Sequence, residues 1–304
     1  MEKTEMVCQP TTPRRISRLF RAGGFEFPLG RRTYVMGILN VTPDSFSDGG
    51  CYLSLEQAVD HAREMLADGA DIIDVGGEST RPGYEPVSAE IEMDRVLPVI
   101  RKIHRELGCP ISIDTYKSDV AEAALLEGAC IINDINGLQI DAAMADVAAR
   151  YRSGIILMHN ARIYRGSDSA LSPDDDVIDN VKSFLRKSIR IAEQAGVQSE
   201  NMMVDPGIGF GETVAESLAM IDRLDELREF GLPVLLGPSR KRFIGRVLGQ
   251  TATNRLIGTC AVVAMGIARG VDFVRVHDTK EVAETVLMAD AIERSGGNGR
   301  WRTS

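Results

Sequence analysis

From Gly30 onwards the chain repeats one pattern: a short run of aliphatic and β-branched residues, a loop rich in Gly, Asp, Asn or Pro, and a stretch with helical periodicity. Such repeats predict parallel strands joined by crossover helices. We predict eight strands, at Tyr34–Leu39, Ile72–Val75, Ile111–Asp114, Ile131–Asp134, Gly154–Met158, Met202–Asp205, Val234–Leu236 and Phe273–Val276.

Amphipathic stretches separate these strands and predict the helices. They are Leu55–Asp68, Ser88–Leu107, Ser118–Glu127, Ala142–Tyr151, Asp174–Ala195, Ala215–Phe230, Thr253–Arg269 and Val282–Arg294. Eight strand-helix units indicate an α/β fold, a single (β/α)₈ barrel, which typically takes about 250 residues. We expect residues 1–22 to form a flexible N-terminal extension and residues 23–304 to form the barrel domain, including a short hairpin around Gly24–Arg32.

Charge and cysteine content exclude several classes of partner. The 44 acidic residues outnumber the 35 basic ones, which disfavours nucleic acid and anionic membranes. The apolar run Ala261–Ala268 is too short to cross a bilayer, and Met1–Ala22 lacks the apolar core of a secretory signal. Five widely spaced cysteines without a CxxC pair predict neither a zinc site nor disulfides, and favour the cytoplasm.

Polar residues end or follow every predicted strand. In a barrel these ends face a common mouth, where active sites form. Any one such residue could be an ordinary helix cap, but their joint occurrence predicts a binding site. The set comprises Asn40, Glu78, Ser79, Thr80, Arg81, Asp114, Asn133, Asp134, His159, Asp205, Ser239, Arg240, Lys241, Arg275 and His277.

The charge signs of this set indicate the ligand. A carboxylate accepts paired N–H donors, as on an amino-pyrimidinone ring, so Asp205 with Asn133 suits such a heterocycle. Arg275 and His277 lie two apart on one strand face and suit a phosphate or diphosphate. Asn40 offers a hard oxygen to Mg²⁺ held mainly by phosphate.

Common motifs of other enzyme classes do not fit. The glycines in Asp205–Gly211 lack GxGxxG spacing and a dinucleotide-fold setting, and the chain has no GxxxxGK[ST] phosphate loop. It also has no HExxH zinc motif and no GxSxG elbow. These absences leave the strand ends as the main source of chemistry.

Seven segments resemble the dihydropteroate synthase family in the family's order. They are Met36–Gly50 (MGILNVTPDSFSDGG), Gly69–Gly83 (GADIIDVGGESTRPG), Ile111–Thr115, Ile132–Ile135, Asp205–Phe210, Gly237–Lys241 and Val274–His277. The resemblance implies condensation of 6-hydroxymethyl-7,8-dihydropterin diphosphate with p-aminobenzoate, which gives 7,8-dihydropteroate and diphosphate by dissociative substitution.

The resemblance also implies roles for individual residues. Asp114, Asn133, Asp205 and Lys241 would hold the pterin. Asn40, Arg275 and His277 would hold the diphosphate with Mg²⁺. The p-aminobenzoate site would include Phe46, Thr80, Arg81, Pro82, Phe210 and Ser239. Asp48 would act from the first mobile loop, and further substrate contacts would come from Ile135, Met158 and Gly237.

Some implications and alternatives stay open at this point. The family suggests a homodimer through the later helices, and a target of sulfonamides. The sequence departs from the family in the loop after His159 and at Pro238. A related pterin-binding methyltransferase, acting with methyl-folate and a corrinoid protein, and a catalytically silent pterin-binding paralogue are the competing interpretations.

Overall fold

The computed structural model describes residues 19–42, 55–79, 85–165, 176–251 and 254–294. Ten strands lie in these ranges. Two form an antiparallel hairpin, β1 (Leu19–Ala22) and β2 (Phe25–Pro28). The other eight are β3 (Tyr34–Asn40), β4 (Ile72–Gly76), β5 (Ile111–Asp114), β6 (Ile131–Asp134), β7 (Gly154–Met158), β8 (Met202–Asp205), β9 (Leu235–Leu236) and β10 (Phe273–Val276).

The eight later strands form one parallel sheet in the order β8-β7-β6-β5-β4-β3-β10-β9. The two edges meet where Val204 of β8 bridges Val234, just before β9. There the Val204 N–H donates to Pro233 O at 3.0 Å. The predicted (β/α)₈ barrel is therefore confirmed, and five of the eight predicted strands have the observed bounds.

Ten α-helices lie in the described ranges. They are α1 (Leu55–Ala67), α2 (Ala89–Leu107), α3 (Ser118–Leu126), α4 (Met144–Tyr151), α5 (Ala161–Arg165), α6 (Val177–Ala195), α7 (Val214–Asp222), α8 (Arg242–Leu248), α9 (Leu256–Ala268) and α10 (Thr279–Arg294). In the same ranges no helix is both long and apolar enough to cross a membrane.

Side-chain caps fix several helix starts. Asp176 begins α6, because its Oδ1 accepts from the N–H groups of Ile178 and Asp179 at 2.9 and 3.2 Å. Thr213 begins α7 with a capping box, since its Oγ1 accepts from Glu216 N–H while the Glu216 carboxylate accepts from Thr213 N–H. These bonds satisfy amide donors that have no partner within the first turn.

Aromatic rings fill the amino end of the barrel. Phe20 and Phe27 from the hairpin lie against Tyr34 and Phe273, with ring centroids 5.0 to 5.8 Å apart. We call these four residues the aromatic plug. Its burial, with Phe20 and Phe273 wholly inaccessible to solvent, seals one end of the barrel and leaves the other end for a site.

Three sequence predictions need correction. Leu19–Ala22 is not flexible extension: it is the first hairpin strand, held by burial of Phe20. The single helix predicted at Ala215–Phe230 ends at Asp222 and continues as a 3₁₀ segment, Leu224–Phe230. Beyond the eight predicted helices, α5 follows β7 and α8 follows β9.

Candidate functional site

Alternation along the barrel strands places polar side chains inside the carboxyl end. Successive side chains of a strand point to opposite faces, so every second residue faces the barrel interior. On β4, β6, β8 and β10, one inward residue is apolar and the next inward residue, two positions later, is polar. Together with Asp114 of β5 they form a group that we call the polar end: Asp74, Asp114, Asn133, Asp205 and Arg275.

Arg275 joins two of the acids. Its Nε donates to Asp74 Oδ2 at 2.6 Å, and its Nη2 forms a short contact with Asp114 Oδ2. Burial alone disfavours the charged guanidinium, but Asp74 and Asp114 outweigh that cost and raise the pKa of Arg275. The guanidinium is therefore fixed between two carboxyl groups at the barrel axis.

Asp74 is the deepest member of the polar end and is wholly inaccessible to solvent. Asn133 Nδ2 lies 3.5 Å from its Oδ2. Its Oδ1 is buried without a hydrogen-bond partner among the described residues. Because buried polar atoms normally have a partner, this oxygen is a candidate acceptor for a donor of a bound molecule.

Burial raises the pKa of two carboxyls of the polar end. It raises the pKa of Asp114 to about 7, against the opposing charge of Arg275, and the pKa of Asp205 to about 6. Asp205 Oδ1 accepts from Gly207 N–H at 2.7 Å. Its Oδ2 lies 3.8 Å from the point where a Cβ on Gly237 would stand, so the glycine leaves space beside an acceptor oxygen.

Lys241 supplies a second cation near these acids. Burial and the charge of Arg275 lower its pKa to about 8. Its Nζ lies 4.1 Å from the centroid of the Phe210 ring, a favourable cation–π distance. Gly209, with φ +90°, makes room for the lysine, because a Cβ there would lie 2.6 Å from Lys241 Cδ.

His277 is oriented by Ser239. The Ser239 Oγ accepts from the His277 N–H at 3.1 Å and lies 2.9 Å from the ring Nδ1. These two contacts orient the imidazole ring. The neighbouring Arg240 forms an ion pair with Asp278, so Ser239 and Lys241, rather than Arg240, serve the site after β9.

Three buried apolar side chains form a cluster above the polar end, and we call them the apolar wall: Ile135, Met158 and Phe210. Tyr116 packs against this cluster. Arg162 of α5 lies with its guanidinium carbon 5.5 Å from the Phe210 ring centroid, and its N–H donates to Phe210 O. The segment after β7, where the sequence departs from the family's pattern, therefore places helix α5 beside this wall.

Asn40 lies beside Asp114. A Cβ added at Gly76 would stand 3.5 Å from Asn40 Oδ1 and 3.6 Å from Asp114 Cβ, so the two side chains flank the same glycine. Across the part of the chain that the structure describes, no three His, Cys, Asp or Glu side chains are grouped to bind a metal.

Three of the strand-end residues have partners within the protein instead of facing the barrel interior. Asp134 turns outward, and its two oxygens accept from the N–H groups of Asn136 and Leu138. His159 is buried edge-on against Phe184, with Nδ1 3.1 Å from Pro206 O. Glu78 forms an ion pair with Lys117. Five predicted residues lie outside the described ranges: Phe46, Asp48, Thr80, Arg81 and Pro82.

The sequence prediction missed Asp74 and Tyr116. An acid in the interior of the apolar run Ile72–Val75 was the available signal for Asp74, because a buried charge in a strand needs a partner or a ligand. Tyr116 follows Asp114 by two positions and carried no comparable signal. Its role depends on side chains from other loops.

Comparisons with known proteins agree with this geometry. The family model described as "Pterin binding enzyme" matches residues 36–277. Dihydropteroate synthase of Bacillus subtilis is 52% identical over 268 residues, 88% of this chain and 90% of that protein. A solved dihydropteroate synthase from Clostridium difficile, in the presence of pteroic acid, is 48% identical with a TM-score of 0.83, and covers 88% of this chain and 99% of that one.

A second solved structure that is similar to this chain contains a different ligand. Dihydropteroate synthase of Xanthomonas albilineans, with 4-aminobenzoic acid, is 38% identical with a TM-score of 0.83, and covers 91% of this chain and 98% of that chain. The matches span the same barrel and reach almost the whole length of each relative.

Proposed function

Since the chain belongs to the pterin-binding enzyme family, we propose that it condenses 6-hydroxymethyl-7,8-dihydropterin diphosphate with p-aminobenzoate, as a dihydropteroate synthase does. The reaction gives 7,8-dihydropteroate and diphosphate, and makes the chain a transferase of folate biosynthesis, EC 2.5.1.15. The observation that carries the proposal is the polar end: three acids, an amide and a cation at one barrel mouth, beside Lys241 and the apolar wall.

The pterin ring suits the acceptors of the polar end. Its amino-pyrimidinone edge presents adjacent N–H donors, and Asp205 Oδ2 and Asn133 offer acceptors for them. The buried Asp74 Oδ1 can accept a further donor. Lys241 donates to ring acceptors from the opposite side. The ring is thereby fixed by its edge while the apolar wall contacts its face.

Arg275 and His277 are placed to hold the departing diphosphate. Both carry donors at the end of β10, and charge-assisted donors lower the energy of an anion that develops in the transition state. Loss of diphosphate leaves a methylene cation, which delocalises into the electron-rich ring. Asp114 lies beside the site, and its ionised form stabilises that cation by electrostatics.

The residues present fit Mg²⁺ as a partner of the substrate. Asn40 can supply one hard oxygen, and the described residues offer no metal cage of their own, so most ligands must be phosphate oxygens and water. When bound, Mg²⁺ neutralises charge on the leaving diphosphate. Among the described residues, Asn40 would help to hold it.

The aromatic amine of p-aminobenzoate needs no general base. Its lone pair attacks the methylene cation after the C–O bond to diphosphate has broken, and the proton leaves the amine after the C–N bond has formed. Phe210, with Lys241 above its ring, borders the space for this aryl ring and its carboxylate. Sulfonamides share the aryl-amine outline and should compete there.

The decisive test is the two-substrate condensation with Mg²⁺, with the product identified by mass. We expect 7,8-dihydropteroate and diphosphate in equal amounts, and no dihydropteroate when p-aminobenzoate is omitted. Arg186→Met serves as a matched control, because Arg186 forms an exposed ion pair with Glu229 far from the mouth. If protein that binds the pterin diphosphate forms no product, the proposed synthase activity is refuted.

The same preparation separates the two competing functions. A methyltransferase would consume methyl-folate in the presence of a corrinoid protein and leave p-aminobenzoate unchanged. A silent paralogue would bind the pterin diphosphate without releasing diphosphate. Lys241, Arg275 and His277 all lie at one mouth with suitable partners, which favours an active synthase over both.

A homodimer through α9 and α10 is part of the proposal. These helices pack side by side and expose apolar side chains that a monomer rarely leaves in water. The exposed set is Ile257, Met265, Leu287, Met288 and Ile292. Light scattering should give the mass of two chains, and Leu287→Glu should halve it. A wild-type mass of one chain would overturn the dimer.

We also place the protein in the cytoplasm. The described cysteines Cys109, Cys130 and Cys260 are free, as a reducing compartment permits. Recovery of the protein in the cytoplasmic fraction of lysed cells is the expected result.

A further inference from the structure

Tyr116 lies where the apolar wall meets the polar end. It follows Asp114 by two residues, and its side chain packs against the apolar wall. Its hydroxyl donates to Glu78 Oε1 at 2.7 Å. The ring is therefore held at its far end by a carboxylate from the loop after β4, while its face continues the wall.

A buried charge cluster stands behind that ring. Lys117 Nζ forms ion pairs with Glu78 Oε2, at 2.6 Å, and with Glu92 Oε2. The exposed side-chain fractions are 8% for Glu78 and 1% for Glu92. Lys117 Nζ also lies 4.5 Å from the Tyr116 ring centroid. We call Glu78, Lys117 and Glu92 the charged clamp.

The charged clamp connects three separate elements. Glu78 follows β4, Lys117 precedes α3, and Glu92 lies in the first turn of α2. Glu78 Oε2 also accepts from Val87 N–H at 3.1 Å, across the loop that joins β4 to α2. A group with this many partners has few alternative arrangements, because moving one member leaves a buried charge unpaired.

We propose that Tyr116 is a binding residue for the heterocyclic substrate, and that the charged clamp comprises positioning residues that hold its ring against the face of that heterocycle. The inference rests on the proposed function for the identity of the ring. Asp114, Asn133 and Asp205 bind a flat ring only by its edge, so its faces need apolar neighbours. Tyr116 and the apolar wall supply them.

Binding of a pterin alone tests the first part. We would titrate wild type, Tyr116→Phe and Tyr116→Ala with 6-hydroxymethylpterin and follow its fluorescence. Loss of the ring should raise Kd about tenfold, the order expected for one aromatic contact. Tyr116→Phe keeps the ring and should raise Kd only two- to threefold. Equal Kd for wild type and Tyr116→Ala would overturn the assignment.

Steady-state kinetics test the clamp. The double variant Lys117→Gln/Glu92→Gln removes one cation and one anion, so the net charge of the charged clamp stays the same. We expect KM for the pterin diphosphate to rise about fivefold with kcat within twofold, the pattern of lost ground-state binding. The single variant Lys117→Arg keeps the cation and should have the wild-type KM. Glu78→Gln gives an independent second measurement if the double variant is unstable.

Lys102→Gln is the matched control, because Lys102 is likewise a cation paired with two carboxylates, those of Glu56 and Glu106, but it lies on α2 far from the apolar wall. Its KM should equal that of wild type. An unchanged KM in the clamp variants would overturn the positioning role. A fall of kcat as large as the expected rise of KM would also overturn it. If wild type binds the pterin yet forms no product, the proposed function fails, while the Kd comparison still decides the role of Tyr116.

Discussion

The two ends of the barrel interior come from the same strands and have opposite chemistry. At the amino end, the aromatic plug packs its rings with centroids 5.0 to 5.8 Å apart. Two residues further along, about 7 Å at the rise of a strand, the inward side chains are acids, an amide and a guanidinium. The paired positions are Ile72 and Asp74, Ile131 and Asn133, Met203 and Asp205, and Phe273 and Arg275.

This difference separates stability from function within one core. Burying aromatic rings contributes stability in proportion to the apolar area removed from water. Burying Asp114 and Asp205 raises the pKa of each carboxyl, which means that the ionised form is disfavoured. The polar end therefore costs stability, and the plug at the opposite end of the same strands offsets that cost.

The largest effect should come from Arg275→Met. It removes the cation between Asp74 and Asp114, and should lower kcat/KM by about three orders of magnitude, as loss of a key transition-state donor does. It should also lower the free energy of unfolding by about 3–5 kcal/mol, because it leaves buried charge uncompensated. Turnover assays and urea unfolding measure both. A variant that keeps normal turnover contradicts the diphosphate role.

Phe273→Ala tests the opposite end of the same strand. Deleting a fully buried aromatic ring should lower the free energy of unfolding by about 3–5 kcal/mol. Below the unfolding transition, kcat/KM should stay within about twofold of wild type, because the plug does not touch substrate. A large loss of turnover in the folded variant would show that the two ends are coupled.

Asp114→Asn should show the opposite pattern to Phe273→Ala, with a large loss of turnover and a small change in stability. Turnover should fall about a hundredfold, because a neutral amide cannot stabilise a cationic ring. The free energy of unfolding at pH 7 should change by less than about 1 kcal/mol, since the carboxyl is already about half protonated at its raised pKa of about 7. Equal turnover in variant and wild type would refute the electrostatic role of Asp114.

The smallest effect is a pH dependence. A carboxyl with a raised folded pKa binds its proton more tightly in the folded state, so its contribution is complete below the unfolded pKa, near 4, and is lost as the pH rises through about 7. Wild type should therefore gain stability relative to Asp114→Asn as the pH falls from 8 to 5, by at most about 1.4 kcal/mol per pH unit.

Urea unfolding of the two proteins at each pH measures this difference, and the shared surface carboxylates cancel in it. A flat difference between pH 5 and 8 contradicts a raised pKa of Asp114. The activity of wild type should fall on the acid side of about pH 7 as the same carboxyl becomes protonated.

Much of the fold follows from local pattern. The runs of Ile, Val and Met predict the barrel strands, because a parallel strand covered on both faces is apolar nearly throughout. Loop structure was harder to predict. Helix α5, after His159, forms where Asn160 Oδ1 accepts from Arg162 N–H and Arg162 N–H also reaches Phe210 O. A five-residue helix held by a contact from another loop has no periodicity to detect.

The candidate site was predictable as a set of strand ends but not as a network. Asn133 and Asp134 are adjacent and equally polar, yet one faces the barrel axis and the other caps a loop. Asp74 and Arg275 are separated by 201 positions and share a hydrogen bond. The ring of Tyr116 is held by Glu78 from another loop.

The sequence by itself determined which elements form and which chemical groups stand at their ends, because periodicity and turn chemistry act over a few neighbouring residues. The tertiary structure alone decided which groups meet, and with what ionisation. Barrel closure brings β3 beside β10 and encloses Asp74, Asp114 and Arg275 away from water. Desolvation and distant charges, which no local pattern encodes, then raise or lower each pKa.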